Sequence, residues 1–405
     1  MDFEIDIWVK IAAYTGGGIA MGFGAIGAAI GEGYTAAQAN SAISTNVKHS
    51  GSIAKNMLVG QAVAESASIF ALVVAILLLF VNVPKPSLLK AASLLAAGIS
   101  MGFGAIGAGI GSGIPGGNCC LGIARKPEIA SRFTTTMLIG SAVCQTPAIF
   151  AMVVALVLMF MDFGSGPLHL TWAAHLGAGL CMGFGAIGSG IGSGFPGGQA
   201  CLGMAKQPEA SSSLTTNMLI GSAVCQTPAI FSMVVALILI FMRFDNAPFH
   251  PTWAALFGAG ISTGLAAIGS GIGGGMAAGA SCEGIARNPE SVGKVTTIML
   301  VGQAVSQTPA IFGLLVSFIL IFKTFPESYS LSAAMALLGA GICMGFGGIG
   351  PGIGNGMTAE SAVRWVARNV EHAAELMRTM LVGQAVSQST AIYAMVISLV
   401  LIFVV

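Results

Sequence analysis

The chain has 405 residues, 55% of them hydrophobic and only 8% charged, with a formal net charge of +1. That balance argues against nucleic-acid binding as the main activity. Apolar runs reaching the ~20 residues that a helix needs to cross a bilayer point away from an ordinary soluble domain. In lipid only helices and closed barrels satisfy their backbone groups, and long runs rather than short alternating strands select helices.

The first segment, residues 1–83, opens with MDFEIDIWV, which is acidic and lacks the basic start and cleavage site of a secretory signal, so the first span is expected to stay in the mature chain. Its first run, GGGIAMGFGAIGAAIGEG, is studded with glycine and carries Glu32. A short polar loop, STNVKHSG, leads to a second run, GQAVAESASIFALVVAILLLF, which carries Glu65. Folding this segment at Lys48 puts Glu32 and Glu65 16 and 17 residues from the turn. At 1.5 Å per residue both then lie ~24 Å along their helices, at one depth.

The pattern recurs in residues 84–163, 164–244, 245–323 and 324–405, with proline and polar residues at the joints NVPKPS, DFGSGP, DNAP and FPES. The segments are read as five c-like hairpins, ten transmembrane helices in an all-α membrane protein. Glycine at close spacings in each first helix lets backbones approach in a crowded inner layer. The second helices, such as IFAMVVALVLMF, are broadly apolar and suit an outer layer facing lipid. GFGAIG at Gly22, Gly102 and Gly183 matches a dinucleotide fingerprint in letters only, because no strand precedes it and it lies within a membrane run.

Glu65 is followed at spacings of 80, 81, 81 and 81 residues by Gln145, Gln226, Gln307 and Gln388. The 33-residue offset between Glu32 and Glu65 recurs as Ser112 with Gln145, Ser193 with Gln226, Gly274 with Gln307 and Asn355 with Gln388. One membrane level is built five times and charged only in the first. An ionisable side chain within an apolar membrane run is a functional-site hypothesis by default. Two carboxylates in a low-dielectric site do not cheaply ionise together, so one is expected to keep a proton while the other binds a cation. Ser66 adds a neutral oxygen, a set that suits Na+, whereas proton binding needs only Glu65.

Gln is isosteric with Glu and cannot change charge, so the other four levels are read as neutral spacers. Pro147, Pro228 and Pro309 follow three of these glutamines and leave the carbonyls of Val143, Val224 and Val305 without their helical N–H, free for a Gln amide or for Thr146, Thr227 or Thr308. The eight Cys show no CxxC spacing and read as buried thiols. His169 and His250 accompany Trp172 and Trp253 in a pattern like an interfacial belt; His49, His175 and His372 suggest no role.

Most of the 16 Lys and Arg, from Lys48 and Lys55 through Arg125, Lys206 and Arg287 to Arg364 and Arg378, lie in or beside the loops inside the hairpins. Only Lys10, Lys85, Lys90, Arg243 and Lys323 fall near the joints. The positive-inside bias therefore places the intra-hairpin loops in the cytoplasm and both termini outside, in the cell (inner) membrane.

The glycine helices, the loops ARKPE, AKQPE and ARNPE, and GQAVAESASIFALVVAILLLF resemble the c-type proteolipid of rotary ATPases, in five fused copies along the whole chain. The first hairpin looks most like the sodium-translocating F-type form, and the lost carboxylates resemble V-type and archaeal proteolipids. The resemblance implies Na+ ligands at Glu32, Val63 (backbone carbonyl), Glu65 and Ser66. Ala67 and Phe70 stand where sodium-binding members usually have Thr and Tyr, which keeps H+ open, and the first loop lacks the family's Arg-Gln-Pro. It further implies a ring of copies of this chain or other c subunits, and a stator a-type subunit whose arginine each ionised Glu65 passes. Central-stalk subunits would meet the loops at Arg125, Arg287 and their neighbours. No cofactor, P-loop or catalytic centre is read in the chain. Fewer carriers per turn would favour ATP-driven pumping over synthesis. Two other readings stand: a structural proteolipid ring without transport, and a secondary ion transporter, although five equal hairpins do not divide into matching halves.

Overall fold

The computed structural model describes residues 5–83, 86–163, 170–244 and 247–404. Parts of the joints, including Pro84, Lys85 and His169, lie outside the described residues. Among the described residues, eleven α-helices form ten long apolar spans. These are α1 (Ile5–Thr45), α2 (Ser50–Phe80), α3 (Leu88–Arg125), α4 (Ala130–Phe160), α5 (Thr171–Lys206), α6 (Ser211–Cys225), α7 (Thr227–Phe241), α8 (Phe249–Arg287), α9 (Val292–Phe322), α10 (Leu331–Val366) and α11 (Ala373–Val404). Together α6 and α7 make one span, interrupted at Gln226. Pro228 has no N–H to continue the ladder, and Gln226 N closes a tighter turn on the Ala223 carbonyl at 3.2 Å. Pro147 and Pro309 are instead carried inside α4 and α9.

Each hairpin turns through a three-residue 3-10 helix, which in the second, third and fourth begins at Pro127, Pro208 and Pro289. Proline is preorganised there, and the N–H it lacks has no helical partner at that position. Arg125, Lys206, Arg287 and Arg364 occupy the last turns of the first helices, where positive charge complements the exposed carbonyls. At this end Arg364 Nε donates to Glu283 Oε2 at 3.0 Å, linking the fifth hairpin to the fourth.

The glycine-rich helices pack in a row, α1 on α3, α3 on α5, α5 on α8 and α8 on α10. The second helices lie outside this row, and α3, for example, contacts both α2 and α4. Glycine sets the inner spacing: a Cβ on Gly27, Gly107, Gly188 or Gly269 would collide with the carbonyl of Ile106, Ile187, Ile268 or Ile349 on the next inner helix. This close approach is how small residues gain van der Waals contact where lipid offers little hydrophobic drive. The outer helices expose Ile69, Val73 and Ile76 on α2 and Ile149 and Val153 on α4, a lipid-facing apolar surface.

The ends of the row differ from its middle. In α3, α5 and α8, 72%, 72% and 78% of the most apolar stretch is buried, against 39% in both α1 and α10. The same kind of helix is less buried where it has only one neighbour within the row.

Candidate ion-binding site

The level of Glu65 is fixed by a lock one turn away. Gln61 Nε2 donates to the Glu32 carbonyl at 3.3 Å and Ser141 Oγ to the Ser112 carbonyl at 3.1 Å. Ser222 Oγ meets the Ser193 carbonyl at 3.5 Å, Gln303 Nε2 the Gly274 carbonyl at 3.0 Å, and Gln384 Nε2 the Asn355 carbonyl at 3.0 Å. In all five hairpins a polar side chain of the second helix thus grips the first helix at the repeated level. The same period of 80 or 81 residues that marks Glu65 also marks this series. The letters hide it, because both Gln and Ser occur in it and neither is ionisable.

With the register locked, residues at the 33-residue offset meet in the second and fifth hairpins. Gln145 Nε2 donates to Ser112 Oγ at 3.0 Å, and Asn355 Nδ2 to Gln388 Oε1 at 2.7 Å. Glu32 lies within electrostatic range of Glu65. Glu65 is exposed and Glu32 half-buried, whereas Gln145, Gln307 and Gln388 are buried. Among the described residues no side chain donates a hydrogen bond to the Glu65 carboxylate.

A second contact runs between hairpins. Gln145 Nε2 donates to the Val63 carbonyl at 3.0 Å, Gln226 Nε2 to Val143 at 3.0 Å, and Gln307 Nε2 to Val224 at 2.7 Å. In the fifth hairpin the amide of Asn355 reaches the Val305 carbonyl at 3.4 Å. Every interface between hairpins therefore carries an amide from the later hairpin on a valine carbonyl of the earlier one. The carbonyls of Val143, Val224 and Val305 are those that proline leaves without a helical donor. A Gln amide takes the first two and an Asn amide the third, while Thr308 Oγ1 turns back to the Ala304 carbonyl at 3.5 Å.

Of the sequence candidates, the structure brings Glu32 and Glu65 together. It seats Val63 and Ser66 with Gln145: the Val63 carbonyl accepts from Ser66 Oγ at 2.6 Å as well as from Gln145 Nε2. All eight cysteines are free, and all but Cys343 are buried. Trp172 stacks on Trp253 at 5.9 Å, and Trp253 Nε1 donates to His250 Nδ1 at 3.2 Å. His175 is buried with Nδ1 2.7 Å from Ser93 Oγ, a packing role that its sequence surroundings did not reveal.

A profile of the ATP synthase C-subunit family matches residues 15–78, 95–158, 176–239, 257–320 and 338–401, most of the chain. The chain belongs to that family. It is similar to the K subunit of the A-type ATP synthase of Methanocaldococcus jannaschii, 31% identical over 227 residues that cover 55% of this chain and 93% of the relative. It is similar also to the ATP synthase c subunit of Petrotoga mobilis, 54% identical over 67 residues, 16% of this chain and 70% of the relative. With the ATP synthase c subunit of Thermotoga petrophila it shares 48% identity over 68 residues, 17% of this chain and 80% of that one. This is a rotary ATPase c-type subunit with five fused hairpins, a multi-pass membrane protein of the kind that forms rotor rings.

Proposed function

We propose that this c-type subunit carries one exchangeable ion per chain, on Glu65, past the stator of a rotary ATPase. The observation that supports it is the contrast at one level: the amides of four hairpins are engaged on valine carbonyls or a neighbouring amide, while the first hairpin presents a carboxylate without a donor. Glu32 holds a second carboxyl beside it, so the pair takes up one cation by keeping one proton. Na+ is the favoured ion because the carboxylates of Glu32 and Glu65 and the Ser66 hydroxyl are hard oxygen ligands; H+ is the second reading, since Ala67 and Phe70 supply no hydroxyl there.

The loops with Arg125, Lys206 and Arg287 face the cytoplasm and the central stalk, and both termini lie on the other side. An a-type stator subunit meets the outer helices at the depth of Glu65. One carrier per five hairpins gives few ions per turn and suits ATP-driven pumping against a steep gradient. The test is labelling of the intact complex by a hydrophobic carbodiimide. Modification at Glu65, blocked by Na+ more strongly as pH rises and protons compete less, supports the sodium reading. Labelling indifferent to Na+ at all pH values leaves the proton reading, and no labelling at Glu65 removes both.

A further inference from the structure

Two grooves at the loop end of the outer helices carry polar groups that the protein leaves unpaired. One, of about 440 Å3, lies between α4 and α6, and the other, of about 390 Å3, between α2 and α4. In the first, the hydroxyls of Thr135 and Thr215 turn back to the carbonyls of Ser131 and Ser211 at 3.1 and 3.0 Å, and Thr136 Oγ1 donates to Met204 Sδ at 3.4 Å. The hydroxyls of Ser131, Ser212 and Thr216, by contrast, have no hydrogen-bond partner among the described residues, and the Arg132 guanidinium has no carboxylate within ion-pair distance there. Ser212 and Thr216 are four residues apart and share one face of α6. The second groove repeats this chemistry with Lys55, Ser52 and Ser131. Among the described residues no carboxylate lines either groove; Glu128, 3.8 Å from Lys126, and Glu209 stay in the loops.

The depth of these groups matches that of lipid phosphates. On α4 and α6 the first large apolar side chains exposed to lipid are Leu138 and Leu219, which follow Ser131 and Ser212 by seven residues. At 1.5 Å per residue, Thr216 and Ser212 stand ~4 to ~10 Å outside that edge, where the hydrocarbon gives way to the headgroup layer. Ile139 and Met204 supply the apolar part of the groove lining. We propose that the groove between α4 and α6 binds the headgroup of an anionic phospholipid. Arg132 and the hydroxyls of Ser131, Ser212 and Thr216 donate to the phosphate oxygens, and Ile139 and Met204 take the carbons beside the glycerol. A guanidinium matches phosphate oxygens two at a time and is more weakly hydrated than an ammonium. The ammonium of a zwitterionic headgroup would find no carboxylate in the groove, so the occupant is a lipid with net negative charge. The α2–α4 groove, with Lys55 as a point charge, is a weaker copy. Such a lipid travels with the subunit as it turns, whichever residue carries the ion.

The experiment uses the subunit purified from its complex and placed in nanodiscs of phosphatidylcholine with added phosphatidylglycerol. Native mass spectrometry counts the lipids retained per chain. Phosphatidylglycerol is expected to be retained in preference to phosphatidylcholine, and Arg132→Gln to weaken its retention about tenfold, the scale of one charge-assisted hydrogen bond. A Ser212→Ala/Thr216→Ala double variant, which leaves every charge in place, is expected to weaken it about fivefold, the scale of a neutral hydrogen bond. Arg243→Gln removes the same charge at the opposite membrane end, beyond α7, and is expected to leave retention unchanged. Equal retention of the two lipids overturns the site. So do equal losses from Arg132→Gln and Arg243→Gln, which would mean attraction by net charge alone, and so does full retention by the serine–threonine double variant. Displacement of the lipid by millimolar inorganic phosphate overturns the choice of a membrane lipid in favour of a free anion.

Discussion

Replacing Gln226 by Ala removes the amide that lies 3.0 Å from the Val143 carbonyl. Four residues on stands Pro147, so this carbonyl has no helical N–H to fall back on. A buried acceptor left unmade costs about 1–3 kcal/mol. The penalty is expected to fall in a Pro147→Ala background, where residue 147 regains its N–H, giving a coupling of about 1 kcal/mol between Pro147 and Gln226. Denaturant unfolding of purified protein in detergent micelles, run as a double-mutant cycle, measures both the penalty and the coupling. A Gln226→Ala penalty unchanged by Pro147→Ala would refute the view that these amides replace donors lost to proline.

Gly107→Ala puts a methyl against the Ile187 backbone carbonyl and is expected to destabilise by about 1–3 kcal/mol, whereas Gly293→Ala, in open space on α9, is expected to be neutral or to stabilise by up to about 1 kcal/mol; the same unfolding assay compares them. A ring made of this chain alone moves as many ions per turn as it has chains. Each ion moved against the membrane potential costs ~2.3 kcal/mol per 100 mV. The ion-to-ATP ratio and reversal potential in vesicles should match that count, and a ratio as high as that of a ring with a carboxylate on every hairpin would contradict it.

The architecture was legible because membrane helices and their period leave strong marks: ten apolar runs, glycine on alternate runs, and one residue returning every 80 or 81 positions. The shared depth of Glu32 and Glu65 followed from helix rise alone. Proline at positions 147, 228 and 309 pointed to free carbonyls, and the structure supplies their donors from the following hairpin. What the sequence hid was the partner across each interface. The one-letter pattern of a single repeat shows that Val63 stands near Glu65 along α2, but not that its carbonyl turns toward Gln145 of the next hairpin. That distinction depends on which side of a helix faces the next repeat. The register lock at Gln61, Ser141, Ser222, Gln303 and Gln384 was obscured by changing residue type, although its period is as strict as that of the ion level.

ATP-driven ion uptake by vesicles containing the complex with Glu65→Gln tests the central claim most directly, because the substitution keeps the shape of the side chain and removes its exchangeable charge. The account predicts that uptake of both Na+ and H+ is lost while the complex still assembles. Uptake at the wild-type rate would show that the ion travels elsewhere.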